Sequence, residues 1–278
     1  GETLPEGHAE ELLRRGIVPV SGIAEAFDAA EAAASVRMSF ADRGNFALQI
    51  AGMLINDVVF LALWVLFFAG FRSVGGWGLS DVALLLGLTM CIVGLSGALA
   101  GGYRDMAVSI LRGDLDALLT QPKGVIFRLL ARESIASAWA DLAAGGFILA
   151  LFADLATRQI PLAALALAAG LTVYVSAAIV FASMAFWARG ARSLARDLTD
   201  FMLLLSSYPG SVHQGFVKVA AFTILPAGFV VLTPVEMLRA PTLQGMAIVV
   251  GAAVVYAMLA TGIFHVGLRR YRRGAFGA

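Results

Sequence analysis

Three polar side chains interrupt long apolar runs of the sequence, and they are the first candidates for chemistry. Asn56 and Asp57 lie near the middle of one apolar run, and Asp141 lies within another. An ionisable group at bilayer depth is costly and often marks an ion or substrate path. Isolated acids with no relay chain between them are equally typical of hydrogen-bonded packing between helices. We prefer the packing interpretation and keep the pathway interpretation open.

Motifs for phosphate binding or hydrolysis are absent from the sequence. A P-loop needs Gly-Lys followed by Ser or Thr, whereas the only two lysines, Lys123 and Lys218, each follow another residue type. The three histidines cannot form an H-E-x-x-H zinc site, and no G-x-S-x-G nucleophile elbow occurs. We therefore predict that this chain is not an enzyme and holds no metal or cofactor of its own.

The composition is that of an integral membrane protein. The 278 residues are 60% hydrophobic and 14% charged, with a mean hydropathy of +0.85, against about 45–50% apolar and 25% charged residues in soluble domains. The formal net charge of +1 gives no indication of a nucleic-acid partner. The lone cysteine, Cys91, lies in an apolar run and is interpreted as a small core residue.

Apolar runs long enough to cross a bilayer predict an all-α polytopic protein with six transmembrane helices. The spans are predicted at 46–70, at 81–101, from about Ile135 to Phe152, at 162–187, within one of 198–216 and 217–238, and at 243–268. Gly97 and Gly101, in the second span, form a G-x-x-x-G spacing that permits close helix packing. We expect this packing to occur within one subunit rather than between subunits.

The region before the last span contains two candidates for one crossing. Tyr208 and Pro209 interrupt the first candidate, and Pro226 and Pro234 would kink the second. Non-helical backbone at membrane depth occurs only where protein or a water cavity covers it. We therefore predict that one candidate is the fifth span and the other a re-entrant, Pro-kinked or interfacial segment.

The distribution of basic residues predicts the orientation. With both termini in the cytoplasm, 16 of the 20 lysines and arginines fall on the cytoplasmic side. This places the loop between the second and third spans in the cytoplasm.

The N-terminal residues 1–35 are charged and are interpreted as a soluble or interfacial segment, whose native status the sequence leaves open. No signal peptide is visible. An Ala-rich helix over 23–43 is predicted to lie on the membrane surface, with a soluble tail as the alternative. We assign residues 36–278 to the transmembrane domain.

A polar stretch over 103–123 lies between the second and third spans and keeps a helical pattern. Leucines and an isoleucine recur there at three- and four-residue spacing, while the charges fall largely on other faces. A membrane protein that exposes a short amphipathic helix between two spans offers a surface to a partner, although a merely connecting interfacial helix is the alternative.

At three places the sequence resembles the membrane subunits of prokaryotic ABC-2 type ABC exporters, in a branch formerly described as uncharacterised permeases. The segment ILRGDLDALLTQP, residues 110–122, looks like that branch's I-x-x-G-x-L-D-x-x-L-x-x-P signature. Tyr208-Pro209 followed by Pro226 and Pro234 is the second place, and the tail 267–271, GLRRY, is the third. The sequence departs from the family after the tail, where two further arginines stand.

The resemblance implies a non-catalytic permease in a prokaryotic plasma (inner) membrane. Such a subunit dimerises with itself or with a sister chain, forms the substrate pathway, and binds nucleotide-binding subunits that supply ATP and magnesium. The alternative is an ATP-independent carrier or channel that uses Asp57 and Asp141. The transported substrate is not readable from the sequence.

The resemblance also implies that the cytoplasmic stretch is the ATPase-coupling helix. Gly113 permits a tight turn before Asp114, placed as a helix N-cap. We expect the next turns to present leucines to a groove of the ATPase, and Pro122 to help end the helix. The predicted coupling residues are Arg112, Gly113, Asp114, Leu115, Asp116, Leu118, Leu119 and Pro122.

Overall fold

The computed structural model describes residues 34, 43–71, 73, 75–119, 124–210 and 213–274. The predicted N-terminal segment and its interfacial helix lie outside these residues except at 34 and 43, and so does Pro122.

Every regular element of the described residues is helical. The α-helices are α1 (Arg43–Gly70), α2 (Leu79–Ala100), α3 (Met106–Arg112), α4 (Leu115–Leu119), α5 (Val125–Ala131), α6 (Ala136–Phe152), α7 (Ile160–Ser183), α8 (Ala191–Ser206), α9 (Gly215–Phe222), α10 (Thr233–Arg239) and α11 (Leu243–Arg272).

Four helical segments of the described residues are long and apolar enough to cross a membrane. They are Gly44–Gly70, Leu79–Arg112, Thr157–Phe186 and Leu243–Arg272. A fifth is obtained if α5 and α6, bent by 83°, are counted as one span. Helix α6 begins at Ala136, next to Ile135, where the sequence predicts that the third span begins. The second segment extends beyond the predicted end, because a 3₁₀ turn and α3 continue from α2.

Glycines bring α2 and α6 into backbone contact. A Cβ atom on Gly94 would lie 2.6 Å from the backbone nitrogen of Leu142, and one on Gly97 would lie 2.6 Å from the Cβ of Ala138. The backbone N–H of Ile135 donates a 2.9 Å hydrogen bond to the carbonyl of Gly97. Small residues of this kind allow helices to approach closely in lipid. As predicted, the glycine spacing in the second span packs within the chain.

Helix α8 leads from the end of α7 to the end of the molecule that carries Trp77. It begins just after the 3₁₀ turn Met184–Phe186. At its other end, the carbonyl of Ser206 accepts a 3.4 Å hydrogen bond from Thr89 of α2. A Cβ on Gly210, just beyond α8, would lie 3.8 Å from the Trp77 ring. Over this region the chain therefore runs from the end of α7 to the neighbourhood of Trp77.

The chain after α8 forms a helical hairpin that returns to the same end. At its inner tip, the carbonyl of Thr223 accepts a 3.3 Å hydrogen bond from Tyr256, about 20 Å along α11 from its first residue at 1.5 Å per residue. At its outer end, Arg239 forms a 2.8 Å ion pair with Asp81 and lies over the Trp77 ring at 4.9 Å. Both ends of the hairpin thus lie beside the start of α2.

Prolines mark the breaks in this region, at the positions where the sequence predicts irregular backbone. Tyr208 and Pro209 follow the end of α8. Pro226 lies between α9 and a π-helical turn, Gly228–Leu232, where its carbonyl accepts two backbone hydrogen bonds. Pro234 lies in the first turn of α10, where a missing N–H costs little.

The α2–α6 contact gives a test of the fold. Gly94→Ala would place a methyl group against backbone atoms that cannot yield, and we expect it to lower the free energy of unfolding by about 1–3 kcal/mol. Gly146→Ala is the matched control in α6, because no atom lies within 4 Å of a Cβ there. Thermal unfolding of the purified protein in detergent measures both. Equal stabilities of the two variants would contradict the described packing.

Candidate functional site

A left-handed glycine divides the predicted coupling helix into two elements. Helix α3 ends at Arg112, and Gly113 has φ of +86°. The carbonyl of Ser109 accepts hydrogen bonds from the N–H groups of Gly113 and Asp114, a termination that favours glycine. Helix α4 begins only at Leu115. The tight turn that the sequence predicts at Gly113, before Asp114, is therefore present, and the predicted coupling residues lie on both sides of it.

The prediction that the leucines of α4 face a groove of the ATPase is partly wrong. Leu115 is 0% exposed and packs within the core of its own chain. Leu118 and Leu119 are half-buried against the same core. Their apolar periodicity therefore serves internal packing at least in part. The exposed side chains of this segment are Arg112, Asp116 and Ala117.

The C-terminal end of α11 docks on this segment. The hydroxyl of Tyr271 forms a hydrogen bond with the carboxylate of Asp116. The Tyr271 ring lies 6.3 Å, centroid to centroid, from the buried ring of Phe186. A Cβ on Gly267 would overlap the same ring, so glycine is needed there for α11 to approach. Two of the three segments that carry the family resemblance thus meet in space.

An arginine from the break between α5 and α6 also contacts the turn. A guanidinium nitrogen of Arg132 lies 3.5 Å from the carboxylate of Asp114 and 3.4 Å from the hydroxyl of Ser109. The Arg132 side chain is 60% exposed and that of Asp114 is 37% exposed, so solvent screens the pair, which contributes about 0–1 kcal/mol and mainly orients the turn. Burial, reinforced by the nearby Asp105 carboxylate, raises the pKa of the adjacent Glu133.

An open groove of about 610 Å³ lies beside this contact and is lined by both the segment and the end of α11. It has polar and apolar walls, and both Arg112 and Asp116 face it. The remaining lining residues are Ile110, Leu111, Gly113, Leu119, Tyr271, Arg272 and Gly274.

The predicted intramembrane acids lie together, in a different part of the molecule. Asp57 of α1 is 3% exposed and Asp141 of α6 is 5% exposed, so both carboxylates are buried within the bundle. Asn56 donates a 3.5 Å hydrogen bond to one Asp57 oxygen, whereas the other oxygen has no partner. This arrangement couples α1 to α6 at depth but forms no visible relay.

The sequence analysis missed the cluster around Arg239. Besides its contacts with Asp81 and Trp77, this guanidinium donates a 2.8 Å hydrogen bond to the carbonyl of Gly76. The side chain of Gln159 donates to the adjacent carbonyl of Leu238. The sequence did contain a pointer to this cluster. Few basic residues fall on the predicted outer side, so an arginine there is a candidate for a specific structural contact.

Metal chemistry finds no support in the geometry. Among the described residues, no group of three or more His, Cys, Asp or Glu side chains is arranged to hold a metal ion. The candidate site is the surface built from the turn at Gly113, helix α4 and the end of α11.

Long apolar helices joined by short polar turns indicate a multi-pass, all-helical membrane protein. A family model described as "ABC-2 family transporter protein" matches residues 54–274, and the chain belongs to that family. Such permeases are generally non-catalytic membrane subunits that work with a nucleotide-binding ATPase. Searches of curated proteins and of solved structures each gave no match.

The paired acids give a test that separates packing from transport roles. Asp57→Asn and Asp141→Asn each remove a buried acid, and we expect each to raise the free energy of unfolding at neutral pH by about 1–2 kcal/mol. The double variant should gain less than the two single gains together, because one substitution already relieves the interaction. Asp197→Asn, on the exposed face of α8, is the control. Lower stability of both single variants would contradict this expectation and show that the acids stabilise the packing of α1 against α6.

Proposed function

We propose that this protein is the permease subunit of an ATP-driven ABC-2 type exporter in a prokaryotic plasma membrane. The observation that carries the proposal is the exposed surface of Arg112, Asp116 and Ala117, presented at one end of a domain of the ABC-2 family. This surface is polar, short and held by contacts from several helices. It suits docking of a soluble partner better than contact with lipid.

In this proposal ATP hydrolysis takes place in a separate chain. No P-loop occurs in the sequence, so magnesium and ATP belong to the nucleotide-binding partner. Closure of that partner around ATP would push the surface described above. The permease contributes the pathway and performs no covalent chemistry.

The membrane arrangement that we propose has six crossings and cytoplasmic termini. Helices α1, α2, α6, α7, α8 and α11 cross, with α3 to α5 at the cytoplasmic end. The assignment of α8 as the fifth span is supported by its course from the end of α7 to Trp77. Residues 215–239 would then be a re-entrant hairpin open to the outside. The count of basic residues supports the same orientation.

The contacts around α4 explain how a push would reach the spans. Helix α3 continues from α2, Arg132 joins the turn to the start of α6, and Tyr271 joins α4 to the end of α11. Three crossings are therefore linked to one small surface. A displacement of α4 would shift them together and so favour one of two access states.

A second permease chain completes the transporter in this proposal. The chain leaves the α1 segment 44–70 almost wholly exposed, so lipid or a second copy covers it. Whether the second chain is identical or a sister subunit is left open, and no transported substrate is assigned. The competing function, an ATP-independent carrier or channel, is favoured only by the buried pair Asp57 and Asp141.

Co-purification tests the proposed function. The ATPase encoded beside this protein should be retained on the tagged permease in detergent. Ala117→Arg should abolish retention, because it adds a bulky charge at the centre of the exposed surface. Ala188→Arg, a matched change at another exposed position before α8, should retain the ATPase.

The absence of any ATPase on the wild-type permease would refute the proposal. Retention that is unchanged by Ala117→Arg would refute the docking surface alone. Transport that survives ATP depletion but stops when the ion gradient collapses would instead establish the carrier function.

A further inference from the structure

A second cavity, of about 230 Å³, lies between α3, α7 and α8. Its polar wall contains three arginines and a single acid: Arg104, Arg192, Arg196 and Asp200. Alanine side chains from α3, α7 and α8 form much of the remaining wall. Among the lining residues the arginines outnumber the acids by two, while Asp141 and Glu133 also interact electrostatically with Arg104 from outside the lining. A small cavity with this lining favours an anion that also has an apolar part.

One of these arginines is held in place by two buried tyrosines. The Nε of Arg104 donates a 3.3 Å hydrogen bond to the hydroxyl of Tyr103, which lies 3.3 Å from the hydroxyl of Tyr174. Tyr103 and Tyr174 are 4% and 2% exposed. Within the described residues, the other guanidinium N–H groups of Arg104 have no protein acceptor. These N–H groups of Arg104 are therefore held in place and can donate hydrogen bonds to a ligand.

The other two arginines lie near the N-terminal end of α8, where positive charge is unfavourable. Arg192 and Arg196 lie four residues apart on the first turns of α8, so they repel one another and oppose the positive end of the helix dipole. Among the described residues, neither has a carboxylate within ion-pair distance, since the pairs found there involve other arginines. Local conflicts of this kind are expected at functional positions.

We propose that this cavity binds a phosphate group of an anionic membrane amphiphile. Arginine suits phosphate because its planar guanidinium donates paired, charge-assisted hydrogen bonds. The proposal rests on the proposed membrane orientation, which places the cavity at the level of the cytoplasmic leaflet. There the phosphate of a lipid would meet the arginines while its chains remain beside the apolar helices.

Native mass spectrometry of the purified full-length permease, released from nanodiscs, tests this inference. The nanodiscs contain phosphatidylcholine with phosphatidylglycerol as the probe. The wild-type protein should retain phosphatidylglycerol in preference to phosphatidylcholine. Arg192→Gln with Arg196→Gln should weaken retention by at least about tenfold, as expected for lost charge-assisted hydrogen bonds. Both side chains are exposed, so the substitutions should leave the fold intact.

Two controls distinguish binding in the cavity from a general effect of charge and from an effect on the ATPase-docking surface at Ala117. Arg189→Gln with Arg273→Gln removes the same charge from exposed positions outside the cavity and should leave retention unchanged. Both double variants should still retain the ATPase, because neither alters the surface at Ala117. Failure of the wild type to retain the ATPase would refute the proposed function and leave the lipid measurement standing.

Competition with inorganic pyrophosphate distinguishes the two sources of phosphate. Displacement of phosphatidylglycerol by pyrophosphate would support the phosphate site and show that a soluble phosphate compound suffices. Resistance to pyrophosphate, together with loss in the cavity variant, would support a membrane lipid as the occupant. Equal retention by the wild type and the cavity variant would overturn the proposal, as would equal retention of the two lipids.

Discussion

Close backbone contact between α2 and α6 is the constraint on which the rest of the structure depends. Lipid chains are as apolar as leucine, so helices in a bilayer gain little from burying leucine and rely on close packing instead. Glycine supplies that packing here, at Gly94 and Gly97 on one helix and at Gly145 on the other. Since α2 continues into α3, the same contact fixes where the turn at Gly113 emerges. The position of α4 is thus set by packing more than 10 residues away along the chain.

The bilayer also determines the polar contacts, because it contains no water to pair with polar groups. Backbone groups at bilayer depth must find partners within the protein. In the hairpin after α8, the carbonyl of Thr223 at the tip accepts a hydrogen bond from Tyr256, and the carbonyl of Leu238 at the mouth accepts one from Gln159. One buried carboxylate oxygen of Asp57 has no hydrogen-bond partner among the described residues. A cost of that kind is tolerated only when the surrounding helices are held firmly together.

Much of the helical framework was predictable from the sequence, because length and apolar character specify spans directly. The start of α6 and the internal role of Gly97 followed from charge placement and glycine spacing. The orientation of Leu115 was not predictable, since periodicity identifies an apolar face without indicating what covers it. Pro226 and Pro234 excluded a straight helix but could not distinguish a kinked crossing from a hairpin. The arginines of α8 appeared only as markers of orientation, whereas the fold gathers them around a cavity with Arg104.

The central claim is that the α4 surface faces the cytoplasm while the hairpin opens to the outside. Single cysteines introduced at Ala117, Ser193 and Gln214, in a protein whose buried Cys91 is replaced by serine, test it with a membrane-impermeant maleimide. In intact cells only the cysteine at position 214 should be labelled, and those at 117 and 193 should react after permeabilisation. Labelling at position 117 in intact cells, or protection of 214 until permeabilisation, would contradict the account.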